Sequence, residues 1–550
     1  MKSVKRLAVI FAAVLLTLSM ALGIAACGGG GGTGGTKEGN VITVLYEGFV
    51  NGAVPTDHEN NPYKKVIDEK YGVDYQLSVT SDLNTEIMKR YSSSNAVKPD
   101  IVVFGDYNQL RTLYDQGWYI DDYTPYLEYM PKLKTFFDEE ENRRAVASIY
   151  EGDALTCLMY PNEGADWQFR IRKDWVAQWN EAKGTSGNPK TVDELLDMAR
   201  WVKQSKGEGY YLFTSAGGLK SLGYIAEFMY MFTEHSSWYV DDTGKINHPY
   251  LDGSHEKYLN FLRTIVSEGL IDPSWYTQDW AAHKTNLYAG KIGIDYYTPV
   301  LAVEYMEGNG GQEAGNSGIW TSLSMPTADG LVRKGHPEYS RIGFKFAIGK
   351  ENEGNPERME KICRIINDMM YEETDDIESS LYYQLRWGIT IDNYTLTATD
   401  KENEFERVLD EEGNDTGYYA FYTTVNREGH KRTNYGSLWD YGKPIQWGDH
   451  VIEYGKSTSY GQSAYDFIEM FEQSQAYYGQ QTLVNYADVV SLPSRIVTRT
   501  QSTVDEFEIN YIKGTTRDTY ADFVSKWLQS GASSLQTTAE QQLRTLGYIQ

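Results

Sequence analysis

Between Val41 and Phe104 the sequence alternates two kinds of segment. Stretches 41–46, 73–80 and 101–104 carry the β-branched and aromatic residues of strands, and helical patterns near 61–70 and 83–91 separate them. Strands alternating with helices predict a mainly parallel α/β sheet, because parallel neighbours need a crossover rather than a hairpin. The pattern continues past residue 160, with strand-like 155–160 and 168–172 and then a helix from Asp174. Thr191-Val-Asp-Glu194 spells a capping box, in which hydroxyl and carboxylate satisfy the first free amides of a helix. Further helices are expected at 255–268, 357–371, 464–478, 503–512 and 516–530. Charged, Gly-containing stretches near 306–317, 401–417 and 427–436 read as surface loops or hairpins. No repeat of 20–50 residues is visible, which sets aside solenoids and propellers.

Ahead of this body stands an export signal. Lys2, Lys5 and Arg6 precede an uncharged, mainly apolar run over 7–26. A transmembrane helix would fit that length. The order Ile24-Ala-Ala-Cys27 instead resembles a bacterial lipobox, with a small residue before the cut and a Cys after it. On that reading 1–26 is a lipoprotein signal peptide, and Cys27 receives the lipid. Eight of the twelve residues 28–39 are Gly, so 27–39 makes a lipidated tether reaching about 20 Å. The expected location is the outer face of the cell membrane, held there by the lipid.

Charge narrows the partners. The 550 residues hold 51 Lys+Arg against 77 Asp+Glu, a net −26, which repels nucleic-acid phosphates and disfavours charge-driven docking on anionic lipid. Beyond Cys27 only Cys157 and Cys363 remain, too few for a disulfide framework, so buried free thiols are expected. Familiar catalytic signatures are missing: there is no His-Glu-x-x-His helix and no Gly-x-Ser-x-Gly elbow. Gly455-Lys-Ser457 lacks the upstream Gly of a phosphate loop, since His450 stands there. Gly308-Asn-Gly310 fails as a dinucleotide fingerprint because Glu313 holds the third Gly position. Asp410 to Asp415 lacks the register of a calcium loop and reads as a solvated acidic hairpin. Neither metal nor cofactor is expected. The 44 Tyr and 13 Trp point instead to recognition, since these rings pair an apolar face with a polar tip.

Three segments carry a family resemblance. Trp167-Gln-Phe-Arg-Ile-Arg-Lys-Asp-Trp175 with the Thr191 capping box is the first, and Gly269-Leu-Ile-Asp-Pro273 leading through Asp279-Trp280 to 287–294 is the second. The third is Ile509-Asn-Tyr-Ile-Lys-Gly514 before Tyr520-Ala-Asp-Phe-Val-Ser-Lys-Trp527. With the lipobox, they resemble extracellular solute-binding protein family 1, the lipoprotein subunits of carbohydrate ABC importers. Many relatives carry a calcium-type loop where this chain has Lys203-Gln-Ser-Lys-Gly-Glu-Gly209, nearly without acidic ligands, so no metal is carried over.

The resemblance implies a two-lobed α/β fold of the type II periplasmic-binding-protein kind, with the ligand in a cleft between lobes joined by hinge strands. Lobe one is expected over 40–157 and 285–338, and lobe two over 158–284 and 339–550. Ligands of such sheets sit beyond the carboxyl ends of strands, which selects Glu47, Asp106 and Tyr107, and Tyr296 with Tyr297. Solvated strand-end acids remain the alternative for Glu47 and Asp106. Trp167 and Trp280 flank the expected crossings, where a cleft role and plain packing stand level. Trp238, Trp320, Trp387 and Trp447 adjoin Gly, Ser or turn-like sequence; taken singly each reads as structural, while two or three of the set are expected in the cleft. Trp175 and Trp179, four apart on a helix, are expected in the core. The implied function is capture of a carbohydrate, an oligosaccharide by the chain's size, for ABC permease subunits. It would act as a monomer without catalysis. A surface-anchored glycoside hydrolase or lyase, a peptide-binding transport lipoprotein and a tethered adhesin are the alternatives.

Overall fold

A computed structural model describes residues 39–47, 62–80, 82–93, 96–104, 110–111, 114–161, 167–219, 221–297, 301, 319–331, 340–370, 380–381, 405–409, 415–421, 469–470, 473 and 484–549. In chain order the first elements are β1 (Val41–Glu47), α1 (Pro62–Tyr71), β2 (Asp74–Thr80), α2 (Leu83–Ser92), β3 (Ile101–Phe104) and β4 (Leu158–Pro161). Then come β5 (Gln168–Arg172), α3 (Lys173–Lys183), α4 (Val192–Lys206), α5 (Ser254–Ser267) and α6 (Trp280–Tyr288). They are followed by β6 (Ile294–Tyr297), β7 (Trp320–Ser322), β8 (Ile342–Ile348) and α7 (Pro356–Met369). After the hairpin β9 (Phe405–Leu409) and β10 (Asp415–Phe421), the chain closes with α8 (Tyr486–Val489), α9 (Ser494–Ile512), α10 (Tyr520–Trp527) and α11 (Ser533–Thr545).

Two apolar cores organise these elements. The first surrounds a five-stranded sheet ordered β2-β1-β3-β8-β4. β1 pairs in parallel with β2 and β3, while β8 runs antiparallel between β3 and β4. β3 is central, and all four of its residues are buried, as a strand covered on both faces requires. α7 packs Met359, Ile362, Ile365, Ile366 and Met369 into this core. A buried ion pair fixes its entry: Arg358 Nη2 lies 2.8 Å from Asp100 Oδ2, which also accepts from the Thr43 amide at 2.8 Å. Both Cys157 and Cys363 are buried free thiols in this core, and burial pushes each up to about 12.

The second core is built on a three-stranded antiparallel sheet, β6-β5-β7, so the parallel expectation holds only for β1 to β3. Trp175 and Trp179 on α3 are buried there, on the face their spacing predicts. The capping box is present, with Thr191 Oγ1 accepting from the Glu194 amide at 3.2 Å. The four C-terminal helices complete this core with Phe507, Phe523, Trp527 and Leu535.

Lobe boundaries need correction. Segment 285–338 was expected with the first lobe, yet Ile294 pairs with Ile171 and Leu323 joins the second core. Segment 339–369 was expected with the second, yet β8 fills the gap between β3 and β4. A strand's lobe is set by its pairing edge, and β8 has the only register that gives β4 a described partner. Between the cores, Asp488 on α8 accepts from the Ser340 hydroxyl at 2.9 Å and the Arg341 amide at 2.6 Å, just before β8. Enclosure pushes Asp488 up to about 6.

Candidate functional site: an aromatic tray

Four separate stretches of the second lobe bring aromatic rings together. Trp167 immediately precedes β5 and is partly buried. Opposite it on β6, Tyr296 faces Phe169 and Tyr297 faces Gln168 in the strand register, so the pleat sends the two tyrosines to opposite sides. Trp167 reaches both, with ring centroids 5.9 Å from Tyr296 and 5.0 Å from Tyr297. Tyr224, in the 3₁₀ helix Gly223–Met231, lies 6.2 Å from Trp167 and 5.8 Å from Trp280. Trp280 opens α6, whose N-cap Asp279 accepts from the Ala282 amide at 2.9 Å. Its ring is 38% exposed, the one tryptophan among the described large apolar side chains that stands open to solvent. Separations of 5–6 Å with edge-on and tilted planes suit attractive ring contacts and leave faces for a ligand.

Polar groups lie directly behind these rings. His283 stacks on Trp280 at 5.7 Å, and its Nε2 is 3.0 Å from Asp295 Oδ1, with both side chains buried. The Lys284 ammonium sits 3.9 Å from the Tyr297 centroid and 4.5 Å from that of Trp280, so the rings hold a cation against them. Glu227 follows Tyr224 by three residues, and residues so spaced eclipse one another in a 3₁₀ helix. By surface area Glu227 is only partly buried, but its carboxyl is enclosed, which pushes it up to about 7 against a hydrogen bond to Tyr296.

One amide stitches the two arms that carry the tray. Gln278 Nε2 donates to Thr214 Oγ1 at 3.0 Å and to the Ser215 carbonyl at 2.6 Å. The Gln278 carbonyl accepts from the Gly218 amide at 3.0 Å. The loop into the Tyr224 helix and the turn into α6 are therefore tied before either presents its rings. Gly217 sits where the two meet, and a Cβ there would lie 2.6 Å from the Ser221 carbonyl oxygen.

Of the residues the sequence singles out, Trp167, Trp280, Tyr296 and Tyr297 converge here, although the two tyrosines lie within β6 rather than beyond its end. Trp238 does not: it is 3% exposed and stacks on Trp527 at 5.5 Å, deep in the C-terminal helices. Trp320 is fully buried on β7 and offers no face to a ligand. Glu47 is the last residue of β1, paired with Thr80, rather than beyond the strand's end. Cys27, Asp106, Tyr107, Trp387 and Trp447 lie outside the described residues. Tyr224, Glu227, His283, Lys284 and Asp295 were missed. A separate cavity of about 530 Å³, lined by Lys203, Tyr210, Tyr211 and Trp275 among others, shares no residue with the tray.

Solved structures share this architecture. The substrate-binding protein FusA of the Streptococcus pneumoniae ABC transporter, in complex with kestose, aligns with a TM-score of 0.60 at 16% identity over 91% of this chain and 98% of that one. An HMO-binding, ABC-transporter-associated solute-binding protein of Bifidobacterium longum infantis aligns at 0.61 and 13% identity, over 93% of this chain and all of its own. The chain has the solute-binding-protein fold. By sequence, FusA is 23% identical over 190 residues, a match that spans about a third of that relative's length. No family model matches the chain. Within a solute-binding fold of two α/β lobes, the tray falls where the chain enters the second lobe, at Trp167.

Proposed function

We propose that the chain is the solute-binding subunit of a carbohydrate ABC importer, exported, anchored through Cys27, and selective for an oligosaccharide. The tray carries this reading. Sugars present apolar C–H faces ringed by hydroxyls, and here one exposed and several partly buried aromatic rings stand over carboxylates, an imidazole and an ammonium. The kestose bound to FusA and the HMO binding named for the Bifidobacterium protein lend support. The work is binding rather than bond-making: a ligand touching both lobes adds contacts available only when they close, and shifts that equilibrium. The closed form would then engage the permease.

A glycan-panel thermal-shift screen tests the reading, since a ligand that binds only the folded state raises its melting temperature. One or more oligosaccharides should stabilise the protein and remain intact by mass spectrometry. Turnover of the bound glycan would instead make this a surface hydrolase or lyase, and a response confined to peptides would make it a peptide carrier. For the anchor, palmitate labelling should mark wild type and spare Cys27→Ala; equal labelling removes the lipid from the account.

A further inference from the structure

Glu227, a partly buried residue with an enclosed carboxyl, stands against the tray, and the fold places it with care. It eclipses Tyr224 one 3₁₀ turn away, bonds the Tyr296 hydroxyl, and so lies at the foot of two rings of the tray. We propose that Glu227 orients the sugar stacked on the tray, its carboxylate accepting hydrogen bonds from two neighbouring hydroxyls of one ring. This rests on the carbohydrate reading above. Aromatic stacking is permissive about which ring lies on it and how it is turned, whereas a paired-oxygen acceptor rejects a ring without adjacent hydroxyls. The ligand class follows: a neutral oligosaccharide with a free vicinal diol on the stacked unit.

Only the ionised carboxylate offers both oxygens as acceptors. Enclosure holds Glu227 near neutrality, so a substantial fraction is protonated at pH 6 and little at pH 8. The groups facing it are the Tyr296 hydroxyl from β6 and Tyr258 from α5, which burial pushes well above its usual range. Neither changes charge in this window. His283 lies 5.5 Å from Tyr224 and pairs with Asp295, while the Lys284 ammonium sits over Tyr297 and Trp280.

The test is calorimetric titration, at pH 6 and pH 8, with the tightest binder among kestose, maltotriose, cellotriose and xylotriose. Wild type should bind about tenfold more tightly at pH 8 than at pH 6, following the ionised fraction of a group titrating near 7. Glu227→Gln mimics the neutral acid in shape, so it should fold like wild type at pH 6 and bind with the weak pH 6 affinity at both values. A flat wild-type profile overturns the inference, and so does a slope that survives in E227Q. A wild type that binds none of the four sugars at either pH removes the carbohydrate reading and this inference together.

Discussion

The second lobe contains two aromatic clusters of similar geometry and opposite circumstance. In one, Trp238 stacks on Trp527 at 5.5 Å with the His248 edge 4.8 Å away, all of them buried. In the other, Trp280 stacks on His283 at 5.7 Å with Tyr224 edge-on at 5.8 Å, and Trp280 is open. Residue type and ring geometry are nearly shared, so neither separates a platform from a core. Exposure does: Trp280 stands open, whereas Trp238, Trp527 and His248 are buried, with His248 capping Tyr250 through Nδ1 at 3.2 Å.

The largest expected effect comes from the buried member. Trp238→Ala should cost ~3–5 kcal/mol of stability by emptying a packed site, while the folded fraction binds glycan normally. A melting curve and a titration on the same sample check both halves. If W238A instead keeps its stability and loses ligand, the two clusters have exchanged roles.

Acid should then divide the clusters by sign. Burial pushes His248 down to about 3, with the nearby His255 adding to the effect, so the unfolded chain takes up a proton below pH ~6.5 that the folded chain refuses. Stability from this site is complete above pH 6.5 and is lost as pH falls toward 3, about 2 kcal/mol by pH 5. Glu227 runs the other way: its folded value is raised to about 7, so its contribution is complete below pH ~4.5 and is lost as pH rises through 7. Denaturant melts across pH 4–8 on wild type, His248→Gln and Glu227→Gln should show the two variants diverging from wild type at opposite ends. Parallel curves for all three would dissolve the distinction.

Smaller still is the tray ring itself. Trp280→Ala should weaken glycan binding about tenfold, ~1.4 kcal/mol, with little change in melting, because an exposed ring contributes less to the fold than to a ligand stacked on it. An early melt with unchanged affinity would return Trp280 to the core. The smallest effect is a control outside both clusters: Thr191→Ala removes the capping box and should cost ~1 kcal/mol of stability with no change in affinity.

Local sequence carried much of this fold, but it could not tell the two clusters apart. The strands β1, β3 and β5 and the Thr191 cap follow from β-branched runs and one four-residue motif. Trp280 was singled out because a crossing was expected beside it. Trp238 misled because Ser236 and Ser237 signal a turn, while the partner that buries it, Trp527, lies far along the chain. Gly223 to Met231 drew no reading from the sequence, so Tyr224 and Glu227 were passed over. A period of three rather than 3.6 would have set them on one face. The lobe boundaries failed for a related reason, since β8 carries no mark of the sheet it will enter.

That sheet imposes an order on the birth of the molecule. β4 has its described pairing through β8 alone, and β8 leaves the ribosome only after β5, β6 and β7. Until then one edge of β3 stands unpaired, a row of free amides and carbonyls open to any other strand. The second core in turn waits for residues 489–549. The first sheet can close before the second core is complete, so a nascent chain halted between Ile348 and Asp488 holds one finished sheet and one unfinished core. Whatever attends this polypeptide as it is made must therefore keep that strand edge covered until Ile348 has emerged, and the second core until the chain is nearly complete.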